Sequence, residues 1–159
     1  DGHASGEVFF KREGIGYTLR MMVHGQRDMV RSWLSLSPHK IPLVGRHGDI
    51  ALMPDDSAYA LFKRLVPEGF VNEVCARIIL RWGRYQPVKY AKNVKCPVLL
   101  QICEKDAFTP LSAVRETEQN LGKWAESRYY PVGHFDIYTG EHFEKAVNDQ
   151  LAFFKKYLS

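Results

Sequence analysis

The most regular pattern in the chain is a short apolar run at residues 97–103, PVLLQIC, with polar residues on both sides. A nearly continuous apolar run of this length is typical of a strand covered on both faces, as in a parallel sheet. Asp106 follows the run, and Thr109 and Pro110 then suit the N-cap and the first position of a helix. The pattern therefore predicts a buried strand, an acidic turn and a helix over about 110–121.

The same kind of pattern continues to the end of the chain. Residues 126–132 predict a second strand, His134 follows in a turn, and residues 140–157 predict a final helix. A strand–helix–strand unit implies two parallel strands joined by a right-handed crossover. Apolar residues at helical spacing are expected to form the buried face of the final helix: Phe143, Val147, Leu151, Phe154 and Leu158.

The first half of the chain is predicted to be mostly helical. Residues 1–14 are polar and contain glycines, which predicts an arm or loop, whereas apolar residues recur at helical spacing over 16–34. Residues 41–53 predict a loop with short extended pieces, and further helices are expected to begin at Pro54 and Pro67. The helix at Pro67 is expected to bury one set of side chains: Val71, Val74, Cys75, Ile78 and Trp82.

We therefore expect an arm or loop at 1–15, a helical region at 16–89 and a strand–helix–strand–helix region at 90–159. The length of 159 residues and the 45% of hydrophobic residues suit one domain with a sizeable core. The formal net charge of +4 is dispersed along the chain, so nucleic acid is not an expected partner.

Three further observations bear on the setting of the chain. No apolar run has the length of a membrane span, and the first residues lack the basic start and apolar core of a signal peptide. We therefore expect a cytoplasmic protein without a membrane partner. The first residue is not Met, which suggests a processed, tagged or truncated piece. The three cysteines, Cys75, Cys96 and Cys103, predict reduced, buried thiols without the spacing of a zinc site.

Asp106 and His134 are the residues most suited to chemistry. Each follows a predicted parallel strand, and the carboxyl ends of such strands share one edge of the sheet, so the two side chains are expected within hydrogen-bond reach. A carboxylate behind an imidazole fixes its tautomer and stabilises the imidazolium, as a general base needs. Two simpler interpretations remain open: Asp106 can cap the following helix, and His134 can be a solvated turn residue.

Residues 90–159 resemble the C-terminal end of an α/β-hydrolase. CPVLLQICEKDAFTP is similar to the penultimate core strand of that fold with its acid turn. YYPVGHFDIYTGEHFEKAVNDQLAFFKKYL is similar to its last strand, histidine loop and final helix. The stretch 16–82 resembles the helical cap that many members insert, in particular bacterial hydrolases related to dienelactone hydrolases and peptidase-like esterases.

The resemblance implies an α/β fold of which this chain supplies the C-terminal portion. It also implies that Asp106 is the acid and His134 the base of a catalytic triad, with no metal or organic cofactor. Their order along the chain matches the end of the order Ser…Asp/Glu…His. In the complete enzyme a serine would attack the carbonyl of an ester, an amide or a related acyl substrate.

The chain departs from this family at the nucleophile. No G-x-S-x-G elbow occurs, and the nearest string, GHASG at residues 2–6, places Ser5 at the wrong spacing with no strand before it. The loop that lends the second oxyanion N–H is also missing. We therefore expect a chain that carries the acid and histidine of a triad but is inactive by itself.

The short sheet predicts an interaction. Two parallel strands make a poor sheet, and an apolar strand at 97–103 would present an open edge. We therefore expect pairing with a second copy, by edge addition or swapping, or with the missing N-terminal half. The alternative to an enzyme is a non-catalytic, self-associating structural or interaction module that keeps Asp106 and His134 as remnants.

The other polar candidates have structural interpretations. Asp136 is expected in a turn, and Cys103 as an inert strand thiol. The Met and Trp residues of the first half are expected in packing, or around an acyl pocket in a complete enzyme. The remaining histidines show no mutual ligand spacing: His3, His24, His39, His47 and His142. A group of basic residues predicts a solvated helix face: Lys11, Arg12, Arg20, Arg27 and Arg31.

Overall fold

The computed structural model describes residues 2–158, with side chains from residue 5 onward. The chain divides into two compact units, Gly2–Tyr85 and Gln86–Ser159. Within residues 2–158, no helix is both long and apolar enough to cross a membrane. The predicted domain limits at 15 and 89 remain predictions.

The first unit begins with a long helix, α1, over Gly2–Trp33, which bends at Gly14 where the backbone has φ 78°. The predicted arm or loop at residues 1–14 is therefore wrong for residues 2–13, while Asp1 lies outside the described residues. Tertiary contacts hold this part helical despite its glycines. The Phe9 and Trp82 ring centroids are 5.5 Å apart, and Arg12 donates to the carbonyl of Pro54 at 2.8 Å.

Short extended segments follow α1. β1 (Lys40–Ile41) pairs antiparallel with β4 (Val74–Cys75), and β2 (Val44–Gly45) pairs parallel with β3 (Met53–Pro54). The expected short extended pieces between residues 41 and 53 are confirmed. The core of this unit contains Tyr17, Met21, Ile41 and Ala76.

The helices of the first unit agree only in part with the prediction. α2 spans Asp56–Leu65, and the Asp55 side chain caps it by accepting from the N–H of Ala58 at 2.9 Å. The predicted helix from Pro67 is wrong. The chain turns at residues 68–69, where Gly69 has φ 83°, and continues through the extended β4. It then forms a 3-10 turn at Ala76–Ile78 and the single turn α3, Ile79–Trp82. The Asn72 side chain binds both the N–H and the carbonyl of Val44, and this favours the extended path.

Several side chains of α1 expected in packing are on the surface. Met21 is buried, whereas Met22 and Trp33 are exposed. Arg20 and Arg27 are exposed, which confirms the solvated basic face at those positions.

The second unit contains the predicted strand–helix–strand–helix order. After a 3-10 segment at Pro87–Asn93 come β5 (Val98–Cys103), α4 (Leu111–Leu121), β6 (Ala125–Tyr130) and α5 (Gly140–Leu158). β5 and β6 are parallel, in register from Val98 opposite Ala125 to Cys103 opposite Tyr130. This arrangement brings both carboxyl ends to one edge.

A polar group inside the second unit sets the rotation of α5. The fully buried Tyr130 donates to Asp149 Oδ2 at 2.7 Å and accepts from Gln101 Nε2 at 2.9 Å. Gln101 also donates to the carbonyl of Ala146 at 2.8 Å. These bonds turn the face that carries Ala146 and Asp149 toward the strands.

The predicted buried face of α5 is therefore wrong. The buried residues are Ala146 and Phe153, and Val147 is half-buried. The other members of the predicted face are exposed: Phe143, Leu151, Phe154 and Leu158.

Candidate active site

Asp106 stands in the turn that joins β5 to α4. Its Oδ1 accepts from the backbone N–H groups of Phe108 at 2.7 Å and Thr109 at 3.0 Å, and its Oδ2 faces His134 Nδ1 at 2.8 Å. The prediction that Asp106 caps the following helix is wrong, because α4 begins at Leu111 after Pro110 and the N–H groups that Asp106 binds lie in the turn before it, while the role of acid stays a prediction. These two turn hydrogen bonds hold the carboxylate in the orientation that meets the imidazole.

His134 is held in a four-residue turn after β6. Asp136 Oδ2 accepts from the N–H of Gly133 at 2.8 Å, and the N–H of Asp136 donates back to the carbonyl of Gly133 at 3.3 Å. A Cβ at Gly133 would lie 3.0 Å from Asp136 Oδ2, so a side chain there would press on this bond. Asp136 is thus a turn residue, as predicted.

Two aromatic rings fix the plane of the imidazole. The buried Phe108 and the neighbouring Phe135 both meet the His134 ring edge to face, with centroids at 5.2 and 4.7 Å. With Nδ1 bound to Asp106, the other ring nitrogen, Nε2, remains for an external group.

Opposing effects act on the Asp106 carboxyl. Burial raises its pKa, but the hydrogen bond from His134 and those from the N–H groups of Phe108 and Thr109 outweigh burial and hold the pKa below its usual value. Asp106 is therefore an anion at neutral pH, which favours a proton on His134 Nδ1 and leaves Nε2 as an acceptor.

Cys103 lines the same cavity as Asp106 and His134. Burial raises the pKa of its thiol, and the charges of Asp106 and Asp136 raise it further. A thiol that keeps its proton reacts slowly, and the inert role of Cys103 stays a prediction. All three cysteines are free, but Cys75 and Cys103 are only half-buried and Cys96, in the turn before β5, is exposed, so the prediction of buried thiols is wrong there.

A cavity of about 430 Å³ opens beside Asp106 and His134. It is lined by four consecutive residues of β5, from Leu100 to Cys103, and by side chains of α4 and α5. Successive strand residues point to opposite faces, so a cavity that touches all four follows the edge of the strand. Its lining contains no residue of β6 (Ala125–Tyr130), and within residues 2–158 β5 pairs with no other strand.

The other candidates lie apart from this chemistry. Ser5 is buried inside α1, in the other unit, and does not follow a strand. In the part of the chain that the structure describes, no three His, Cys, Asp or Glu side chains form a group that could hold a metal ion.

Sequence reasoning missed one contact: His24 Nδ1 and His39 Nε2 are 2.7 Å apart. Their separation of 15 residues gave no helical or strand periodicity to reveal it.

Comparison with known proteins supports the same fold. No family model matches the chain. It is 34% identical over 141 residues to the quorum-quenching protein AidA of Acinetobacter baumannii, a match that covers 87% of this chain and 46% of AidA. An uncharacterized 31.7 kDa Escherichia coli protein from the traX-finO intergenic region is 31% identical over 117 residues, covering 70% of this chain and 40% of that protein.

Solved structures agree. The alpha/beta hydrolase GrgF from Penicillium sp. sh18 superposes with a TM-score of 0.67 at 17% identity, covering 89% of this chain and 50% of GrgF. DcsB, in complex with its substrate analogue, gives 0.65 at 16% identity, covering 88% of this chain and 50% of DcsB. The chain therefore has an α/β-hydrolase fold and is a homologue of AidA. It spans about half the length of these relatives.

Proposed function

We propose that this chain is the acid- and histidine-bearing part of a serine-type α/β-hydrolase that cleaves an ester, an amide or another acyl bond. The observation that carries this proposal is the 2.8 Å contact between Asp106 Oδ2 and His134 Nδ1, at the carboxyl ends of two adjacent parallel strands. The cavity beside the pair has a volume in the range of small-molecule sites, about 300–1,000 Å³.

The proposed chemistry uses His134 as a proton carrier. A serine hydroxyl attacks the acyl carbonyl while His134 Nε2 takes the hydroxyl proton, and Asp106 stabilises the imidazolium that results. His134 then gives the proton to the leaving group, and water repeats the sequence to release the acid and restore the serine. Asp106 stays ionised throughout, as its lowered pKa favours.

The nucleophile is proposed to come from outside residues 1–159. The sequence contains no G-x-S-x-G elbow, and the relatives are about twice as long as this chain. We therefore expect no triad turnover from this chain alone. The name of AidA makes quorum signals that contain an acyl bond the first substrates to test on the complete protein.

We further propose that the cavity along β5 receives another strand. Its walls include residues of α4 and α5, among them the exposed apolar Phe143. An uncovered strand edge between two helices is suited to strand addition. The occupant we favour is a strand of the missing N-terminal half, because it would bring the nucleophile to the edge that holds Asp106 and His134.

The second candidate is a self-associating module, and the same open edge of β5 favours it. In that case a second copy would occupy the edge and no serine would complete the triad. Asp106 and His134 would then remain as a structural pair that closes the turn after each strand.

A fluorophosphonate probe with intact mass spectrometry separates these possibilities. We expect no label on the 159-residue chain, and a label on the longer protein expressed from the complete reading frame. His134→Gln in the longer protein should prevent labelling, while the exposed control His142→Gln should not. A labelled serine in the 159-residue chain would contradict its proposed inactivity, and an unlabelled longer protein with a dimeric 159-residue chain would favour the module.

A further inference from the structure

Two histidines of the first unit share a hydrogen bond. His24 lies in α1 and His39 immediately precedes β1, and their facing ring nitrogens, Nδ1 and Nε2, are 2.7 Å apart. The two rings are nearly parallel, with an interplanar angle of 19°. A hydrogen bond between imidazole nitrogens needs an N–H on one and a lone pair on the other. The contact therefore exists only while one of the facing nitrogens lacks a proton.

Asp28, one turn further along α1, forms hydrogen bonds that hold the segment around His39. This carboxylate is fully buried, and its Oδ1 accepts from the backbone N–H of His39 at 2.7 Å. Its Oδ2 accepts from the backbone N–H of Arg77 at 2.9 Å and lies 3.2 Å from Arg77 Nε. The backbone carbonyl of His39 accepts from the N–H of Ala76 at 3.0 Å. His39 thus joins α1 to the β1–β4 ladder.

The charges around the pair are mostly positive. Burial lowers the pKa of His39, and Arg27, His24 and Arg31, all on α1, lower it further, while Asp28 alone raises it. On the opposite side, Arg77 is paired with Asp28, Lys40 is paired with Glu73, and the thiol of Cys75 faces Lys40 across the ladder. If the histidine pair takes up a second proton, none of these groups provides a new hydrogen-bond acceptor for it.

We propose that His24 and His39 form a proton-operated contact, which holds β1 against α1 near neutral pH and opens when the pair takes a second proton. After that proton is bound, both facing nitrogens are donors and the two rings are cations in direct contact beside Arg27. Asp28 cannot compensate, because its oxygens already accept from His39 and Arg77. The opening would loosen the β1–β4 ladder at Ala76.

The direction of the pH effect follows from proton linkage. Because the pKa of His39 is lowered in the folded first unit, mainly by burial, His39 holds its added proton less tightly there than in the unfolded chain. The contact between His24 and His39 therefore stabilises the first unit fully above the ordinary histidine pKa of about 6.5. This stabilisation is lost as the pH falls below that value. One linked proton can change the opening equilibrium by at most about tenfold per pH unit.

The test is a pair of NMR measurements on the full chain in EDTA, which keeps metal ions off the histidines. Titration of the ring Cε1–H signals should show His39 becoming an imidazolium below the ordinary histidine pKa of about 6.5, and His24→Gln should move the pKa of His39 back toward that value. The hydrogen-exchange protection of the Ala76 amide should fall several-fold between about pH 7.5 and about pH 5.5, and fall less in His24→Gln.

His142→Gln, on α5, is the matched control and should leave both readouts unchanged. The proposal is overturned if His39 titrates at or above the ordinary histidine pKa of about 6.5, or if the Ala76 amide loses no protection at the lower pH. If His24→Gln fails to fold, the two wild-type measurements still decide the matter. A pH response that appears only without EDTA would also contradict it, because a bound metal ion would then be the cause.

Discussion

The two units of this chain are held together in different ways. In Gln86–Ser159 two six-residue parallel strands run side by side, and helices follow them with regular apolar spacing. In Gly2–Tyr85 the strands have two residues each, and single side chains such as Asp28 and Asn72 bind distant backbone groups. One unit depends on repeated backbone pairing, and the other on a few buried polar side chains. Strand pairing can be predicted from the periodicity of the sequence, whereas the contacts of single polar side chains cannot.

The largest effect on stability is expected from Asp28→Ala. It leaves two backbone N–H groups and the Arg77 guanidinium without their buried acceptor, which typically costs about 3–5 kcal/mol. Urea unfolding in a Trp124→Phe background measures this, because Trp33 and Trp82 then report on the first unit alone. Glu73→Ala, which breaks only the exposed pair with Lys40, is the control and should cost under about 1 kcal/mol. Equal losses in the two variants would contradict the claim that the first unit depends on the buried Asp28.

Acid should weaken the first unit through the same carboxylate. Burial raises the pKa of Asp28, but the N–H groups of Arg77 and His39 outweigh it and lower the pKa overall. A lowered carboxyl pKa stabilises the fold above the ordinary value of about 3.9, and that stability is lost as the pH falls below it. Urea midpoints measured in the Trp124→Phe background should therefore fall steeply below about pH 4, and less so in Asp28→Asn. A parallel decline in both proteins would show that another group is responsible.

A smaller effect is expected in the second unit from Tyr130→Phe. It removes one hydroxyl that joins Gln101 to Asp149, while the strand pairing is kept, so a loss of about 1–3 kcal/mol is expected. Tyr129→Phe, which removes only an exposed contact with Glu118, is the control. Denaturation followed by Trp124 in a Trp33→Phe, Trp82→Phe background provides the measurement. A loss as large as that of Asp28→Ala would mean that this unit also depends on single polar side chains.

The smallest effect on stability is expected from Leu151→Glu on the exposed face of α5. A surface position of this kind usually changes stability by no more than about 0.5 kcal/mol. If the open region beside β5 and α5 recruits a second copy, light scattering should show less dimer in Leu151→Glu than in the unaltered chain. A monomeric unaltered chain would argue against self-association, and a dimer that the substitution leaves intact would place the contact elsewhere.

The sequence predicted the second unit well for a physical reason. The run at 97–103 and the acidic turn after it give the strand direction, and strand direction alone brings Asp106 to the edge that His134 occupies. The rotation of α5 was not predictable from its apolar spacing. Tyr130, Gln101 and Asp149 set it, and their contacts join residues up to 45 positions apart.

The first unit was predicted less well because its determinants are not local. The helix at residues 2–13 depends on contacts such as that of Phe9 with Trp82, and the extended path after Pro67 depends on the bonds of Asn72 to Val44. Neither contact has a periodic signature in the sequence. The same is true of the histidine pair, which only the folded chain brings together.

The central claim is that Asp106 and His134 are two members of a hydrolytic triad. The most direct measurement is kcat/KM for acyl hydrolysis by the longer protein that the proposed function requires. His134→Gln and Asp106→Asn should each lower it by about 10³-fold or more, because the first removes the proton carrier and the second leaves the imidazole in the wrong tautomer. His142→Gln should leave it unchanged. An activity that survives both substitutions would contradict the account.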